Sequence, residues 1–265
     1  MKKKIFSVSL VAMLIAAIMS NGTLAYFTDI ADKQNVFTMG KVNIDITEDK
    51  SADDIHSDPA DPSSPVIAKG GTPDIDNTDP NNPVVKGYKY SDVLPGSVLH
   101  KEPVITVQDD SVPCYLIATV SFKNTYEDSS VSPAVTKYVF GQTAQELLGD
   151  GKFLSGGVSG LALSDDTAAA AKGYAGILGD KAYVKVSTSG DTTTVVFAFK
   201  SVHDKTTLKS ETLFDKVAIP AAMTNTDADK ILDANRQIDI KINGYAIQSE
   251  GVSDVFDAAE KLGVN

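Results

Sequence analysis

Three histidines, one cysteine and a short run of alternate carboxylates are the side chains here whose types lend themselves to chemistry. A zinc peptidase sets two histidines one helical turn apart on one face, with a glutamate beside them as base. His56, His100 and His203 are isolated from one another, and no His-Glu-x-x-His pattern occurs. His100-Lys101-Glu102 reads as the approach to a strand, with its imidazole on the surface. No Gly-x-Ser-x-Gly elbow and no glycine-rich phosphate cradle is present. The segment Asp74-Ile75-Asp76-Asn77-Thr78-Asp79 is the one suited to a hard cation, because carboxylates at alternate positions let a loop wrap Ca²⁺ in oxygen ligands. It lacks the central glycine and distant glutamate of an EF-hand, so it reads either as a solvated linker or as a weak calcium site. Cys114 is the only cysteine, which excludes an intrachain disulfide. Within Pro113-Cys114-Tyr115-Leu116-Ile117 it is expected as a buried strand residue, the alternatives being an intermolecular pair or a reactive thiol. No catalytic residue, metal ligand or cofactor is assigned.

The elements that position these residues are mostly strands. Val42, Ile44 and Ile46 alternate with polar residues, the period of a half-buried strand. Cys114, Leu116, Ala118, Val120 and Phe122 form the cleanest alternation and predict a long central strand with its second face partly covered. Val104–Gln108 is expected as its antiparallel neighbour, joined through a turn at Asp109-Asp110-Ser111. Tyr183–Ser187 and Thr192–Lys200 flank Ser189-Gly190-Asp191 and predict a hairpin. Ile238, Ile240 and Ile242 predict another strand, ended by Asn243-Gly244. Short helices are expected at Ala144–Leu148, Asp165–Lys172 and Asp227–Ala234. Ser253-Asp254 before Val255, Phe256, Ala259 and Leu262 predicts a capped helix closed by Gly263. Strands spread along the chain with turn clusters between them predict a mainly β fold, an antiparallel β-sandwich with short helices.

Two stretches depart from this pattern. Residues 49–91 carry six prolines among many Asp, Asn and Ser, with few apolar side chains. Such a composition buries too little surface to offset the entropy of ordering, so a disordered acidic insertion is expected. Residues 137–180 are rich in Gly and Ala and read as an elaborated connection between strands.

The N-terminus supplies an address. Lys2, Lys3 and Lys4 precede an apolar run from Ile5 to Met19, followed by Gly22-Thr23-Leu24-Ala25. A basic start, a short apolar stretch and small residues before a cut site describe a secretory signal peptide, with cleavage between Ala25 and Tyr26. About 15 apolar residues are short for a ~30 Å hydrocarbon core, so no stable membrane anchor is expected after cleavage. The domains are then a signal peptide, 1–25, and one β-sandwich domain, 26–265. Removing Met1–Ala25, which holds three lysines and no acid, takes the formal net charge from −11 to −14. A chain this acidic is repelled by phosphate backbones and anionic lipid, which argues against nucleic acid and membrane surfaces as partners.

The same junction carries a resemblance. Gly22-Thr23-Leu24-Ala25-Tyr26-Phe27-Thr28-Asp29, then Asn35-Val36-Phe37-Thr38-Met39-Gly40 and Val42-Asn43-Ile44, resembles the TasA/camelysin family. Val93-Leu94-Pro95-Gly96 ahead of the next strands is similar to that family's Pro-Gly turn. The resemblance implies a SipW-type signal peptidase as processing partner and a jelly-roll-like β-sandwich in the extracellular matrix or at the cell surface. It also implies self-association, in some members into fibres, with an N-terminal strand added to a neighbour. Tyr26–Lys41 suits that role, with Phe27, Ile30, Val36 and Phe37 as anchors; the alternative is a strand folded onto its own sandwich. Camelysins have also been classed as metalloendopeptidases, and the insertion would suit a calcium-responsive adhesin. The reading carried forward is a secreted, non-enzymatic structural protein of the biofilm matrix.

Overall fold

The computed structural model describes residues 28–30, 41–48, 72–76, 84–89, 95–155, 161–163, 165–178, 181–232 and 238–264. Its strands are, in chain order, β1 (Thr28–Ile30), β2 (Ile44–Glu48), β3 (Thr72–Asp76), β4 (Val84–Lys89), β5 (Val98–His100) and β6 (Pro103–Val107). Next come β7 (Cys114–Lys123), β8 (Thr125–Asp128), β9 (Val135–Tyr138), β10 (Leu154–Ser155), β11 (Leu161–Leu163) and β12 (Gly176–Leu178). The last five are β13 (Ala182–Ser189), β14 (Thr192–Phe199), β15 (Ser210–Thr212), β16 (Lys216–Ala218) and β17 (Ile240–Gln248). Four short helices join them: α1 (Ala144–Leu147), α2 (Thr167–Ala171), α3 (Asn225–Ile231) and α4 (Val255–Lys261).

One antiparallel sheet runs β1-β17-β7-β14-β13-β12-β11, and two three-stranded sheets, β10-β16-β5 and β15-β6-β2, supply the facing layer. The main core lies between them. Its floor is the alternation seen in the sequence: Cys114, Leu116, Ala118, Val120 and Phe122 of β7 are all essentially buried. Ile44, Leu99, Ile105, Val107 and Val217 close over them from the smaller sheets. Phe122, Phe140 and Phe153 stack at one end, with centroids 3.9–5.9 Å apart. Each such ring withdraws ~2 kcal/mol worth of apolar surface from water, so packing alone can hold a domain without disulfides. On the opposite face of the large sheet, Ile117, Val196, Ala198 and Ile247 are covered by Val255, Ala258 and Ala259 of α4 and by Ala169 of α2. The fold class is therefore the mainly β, antiparallel sandwich expected, with a helical third layer.

The helices have 4 to 7 residues and are too short to persist alone, so capping and packing hold them. Thr143 with Glu146, and Thr224 with Asp227, form capping boxes; Asp166 and Asp254 cap α2 and α4. The predicted β13–β14 hairpin forms with Ser189 opposite Thr192, and Gly190 takes a left-handed φ of 61° at its turn. Asn124, fully buried, ties three segments together. Its side chain donates to the Gly141 carbonyl (2.7 Å) and to Thr193 Oγ1 (2.9 Å), and accepts from the Phe140 amide (2.8 Å).

Four expectations need correction. β6 and β7 are not ladder neighbours: β6 pairs with β2 and β15, and β7 with β14 and β17. The turn at Asp109-Asp110-Ser111 carries the chain across the sandwich, from one sheet to the other. Asn243-Gly244 does not end a strand, because β17 runs through it to Gln248. The insertion expected as disordered contains a strand pair, since β3 and β4 form an antiparallel ribbon with a register shift between Asp74 and Ile75. Its Pro and Asp content obscured the short Val84–Val85 and Ile75 signals. The Gly/Ala-rich stretch is more than a connection, because β11 and β12 complete one end of the large sheet.

Candidate assembly site

β17 is central to the question of assembly. On one side it pairs with β7 over nine residues, from Ile240 opposite Phe122 to Gln248 opposite Cys114. On its other side, among the described residues, it pairs with β1 alone: Thr28 opposite Ile247, Asp29 opposite Ala246, Ile30 opposite Tyr245. Among the described residues, β1 is thus a three-residue edge strand on the large sheet. An edge of this kind satisfies backbone groups that would otherwise remain open to another chain.

Next to that pairing, β17 carries Gly244. A Cβ built there would meet Ile46 Cδ1 at 3.1 Å, Ile44 Cδ1 at 3.3 Å and Ile46 Cγ1 at 3.4 Å. A glycine inside a strand commonly marks such an approach by a neighbouring layer. Here β2 presses its isoleucines onto β17 from the facing sheet, one residue from where β1 joins the edge. The Asn-Gly pair had the signature of a turn, and only the tertiary contact shows why the glycine sits in a strand.

Of the sequence-derived site residues, Ile30 lies in β1, while Ala25, Tyr26, Phe27, Val36 and Phe37 lie outside the described residues. Asp74 and Asp76 fall on β3, and Asn77, Thr78 and Asp79 lie outside the described residues, so the candidate cation segment is in part a strand.

The titratable groups of the interior are held in structural pairings. Cys114 is fully buried, and burial pushes its thiol up to about 12 even though Ser111 hydrogen-bonds it. A thiol so protonated is a core residue, which settles the alternatives for it. His203 is also fully buried, with Nε2 3.2 Å from Glu211 Oε1, and its backbone bridges that of Cys114. Asp227 accepts from Tyr126 Oη (2.8 Å), Lys137 Nζ (2.7 Å) and Thr224 Oγ1 (2.7 Å). Burial alone would raise its carboxyl, but these bonds outweigh it and hold the group well below the usual range. The arrangement fastens the β8–β9 hairpin to the start of α3. Among the described residues, no three His, Cys, Asp or Glu side chains are grouped so as to hold a metal ion.

Residues 1–62 match the family described as camelysin metallo-endopeptidase. Over those residues the chain is similar to the TasA/camelysin family. The match spans β1 and β2, the strands that build the β17 edge and press on Gly244. No curated protein and no solved structure matches the chain significantly. Among the described residues, no helix is long and apolar enough to cross a membrane.

Proposed function

We propose that this chain is a secreted structural protein of the extracellular matrix or cell surface that self-associates by strand addition. The observation that carries the reading is the pairing of Thr28–Ile30 on the outer edge of β17. The segment is short and terminal, and its ladder is only three residues long, so exchange onto the same edge of a neighbouring copy costs little beyond what it recovers there. The position of the strand just after the export junction supports removal of Met1–Ala25 by a SipW-type signal peptidase as the step that frees it. An exchange of this kind is heterologous, and repeated along one direction it gives an open fibre.

The test is light scattering and electron microscopy of Tyr26–Asn265 beside a chain that lacks residues 26–30. Assembly of the first and not the second is expected. Identical behaviour of the two, or a monomeric Tyr26–Asn265 across matrix-like pH and salt, refutes the reading. The family description favours a second reading, a metalloendopeptidase. Cleavage of casein that a chelator abolishes and zinc restores would establish it in place of the first.

A further inference from the structure

The long hairpin of β13 and β14 is covered on its outer side over part of its length. β12 pairs with Ala182–Val184 and stops there, so among the described residues Lys185–Ser189 has no ladder partner except β14. The hairpin closes through the two-residue turn Gly190-Asp191, which makes Ser189 opposite Thr192 a hydrogen-bonded pair. The alternation of an antiparallel ladder then gives the backbones of Ser187 and Lys185 to β14 and turns the N–H and C=O of Val186 and Thr188 the other way. Lys200 N donates to Lys181 O at 2.8 Å, which fixes the same phase from the far end of the ladder. Among the described residues, no backbone group bonds those of Val186 or Thr188 on that side. Val186 is half-buried, and Ser187, Thr188 and Ser189 are exposed. The strand has neither proline nor bulge, devices that keep an open edge from pairing.

This edge is complementary to itself. With two copies antiparallel and Thr188 opposite Thr188 of the second copy, the outward N–H of each threonine meets the C=O of the other. Ser187 then faces Ser189 of the second copy, and Val186 faces Gly190. Lys185 comes level with Asp191 of the second copy, and the two-fold axis repeats every contact. Thr–Thr and opposite-charge pairs are combinations that favour a ladder, and no like charges stand opposite one another. The Asp191 side chain is 55% exposed and 3.4 Å from Lys123 of its own chain, so its carboxylate would be shared between two lysines. A Cβ built on Gly190 meets nothing within 4 Å, so the space at the turn is open.

We propose that β13 pairs with β13 of a second copy across this edge, joining the two large sheets into one. The contact is isologous and closes on itself, so it gives a pair of chains and not a filament. It uses neither β1 nor β17 and is therefore separate from strand exchange.

The test is sedimentation velocity of Tyr26–Asn265 beside the chain that also lacks residues 26–30. A dimer that persists in the shorter chain is expected. Thr188→Pro removes the outward N–H and spares the ladder to β14, where Thr188 makes no backbone bond; it should weaken dimerisation at least tenfold while circular dichroism stays that of the parent. Lys185→Asp should weaken it as well, and Lys185→Asp with Asp191→Lys should restore it. Thr188→Cys should give a disulfide between two chains on mild oxidation, since each Thr188 lies beside its equivalent and Cys114 is buried. A monomeric shorter chain overturns the proposal. So does a dimer that ignores Thr188→Pro, or one that Thr188→Cys does not cross-link. Strand exchange at β17 fails on a different result, fibres that survive deletion of residues 26–30, so the two readings are told apart.

Discussion

Replacing Gly244 by alanine tests whether the spacing between the two layers is set where β2 meets β17. The added Cβ would stand 3.1 Å from Ile46 Cδ1 and 3.3 Å from Ile44 Cδ1, tighter than ordinary van der Waals contact. Ile44 is buried and Ile46 half-buried, both held in register on β6, so neither yields without shifting the smaller sheet. Overpacking of this kind costs about 1–3 kcal/mol. Against it stands ~0.5–1 kcal/mol gained by removing a glycine's freedom from a strand interior. The net expectation is a loss of about 1 kcal/mol, a fall in Tm of roughly 2–4 °C for a domain of this size. Ile46→Val deletes the Cδ1 that clashes, and by itself costs ~0.5–1 kcal/mol at a half-buried site. The double variant should therefore be no less stable than Gly244→Ala alone, a coupling of about 0.5–1 kcal/mol in the cycle. Urea melts of Tyr26–Asn265 followed by circular dichroism measure all four corners. A Gly244→Ala chain as stable as the parent, or single effects that simply add, would refute the assignment of the glycine to close approach.

Asn124→Ala leaves the Phe140 amide and the Gly141 carbonyl without their side-chain partner in a buried corner, and should cost about 3 kcal/mol in the same melts. Asp227→Asn should destabilise by on the order of 3 kcal/mol near neutral pH, because it removes the buried partner of Lys137. Since the folded carboxyl lies below its ordinary value of 3.8, that contribution is full above about pH 5 and fades as the pH falls through and below the ordinary value. Parent and variant stabilities should accordingly converge in acid, and a difference independent of pH between 6 and 3 would contradict it. Cys114 should resist thiol reagents at pH 8 in the folded protein and react fully in denaturant; rapid labelling of the native chain would show that the core opens there.

What the sequence made legible was whatever local periodicity decides. The alternation from Cys114 to Phe122 stated both the strand and its buried face, because a strand covered on one side must repeat every second residue. Asp254 and Gly263 marked the ends of α4 through capping, which is chemistry between near neighbours. Partition between layers was not legible. A three-residue turn looks the same whether it joins ladder partners or crosses a sandwich, so local sequence does not reveal that β6 and β7 lie in different sheets. At Gly244, a local turn signal was overridden by isoleucines two hundred residues earlier in the chain. Of the candidate assembly segment, Ile30 lies on a strand, and the strand that it pairs with is known only from the ladder with β17.

The short ladder between β1 and β17 has a mechanical consequence. Tension applied through the N-terminus along the strand axis loads three residue pairs in parallel, whereas β17 is held to β7 by nine. The terminal strand therefore slips first and the sandwich behind it stays folded. A fibre joined through such strands would break at its joints under strain, release intact subunits and rejoin when the load falls.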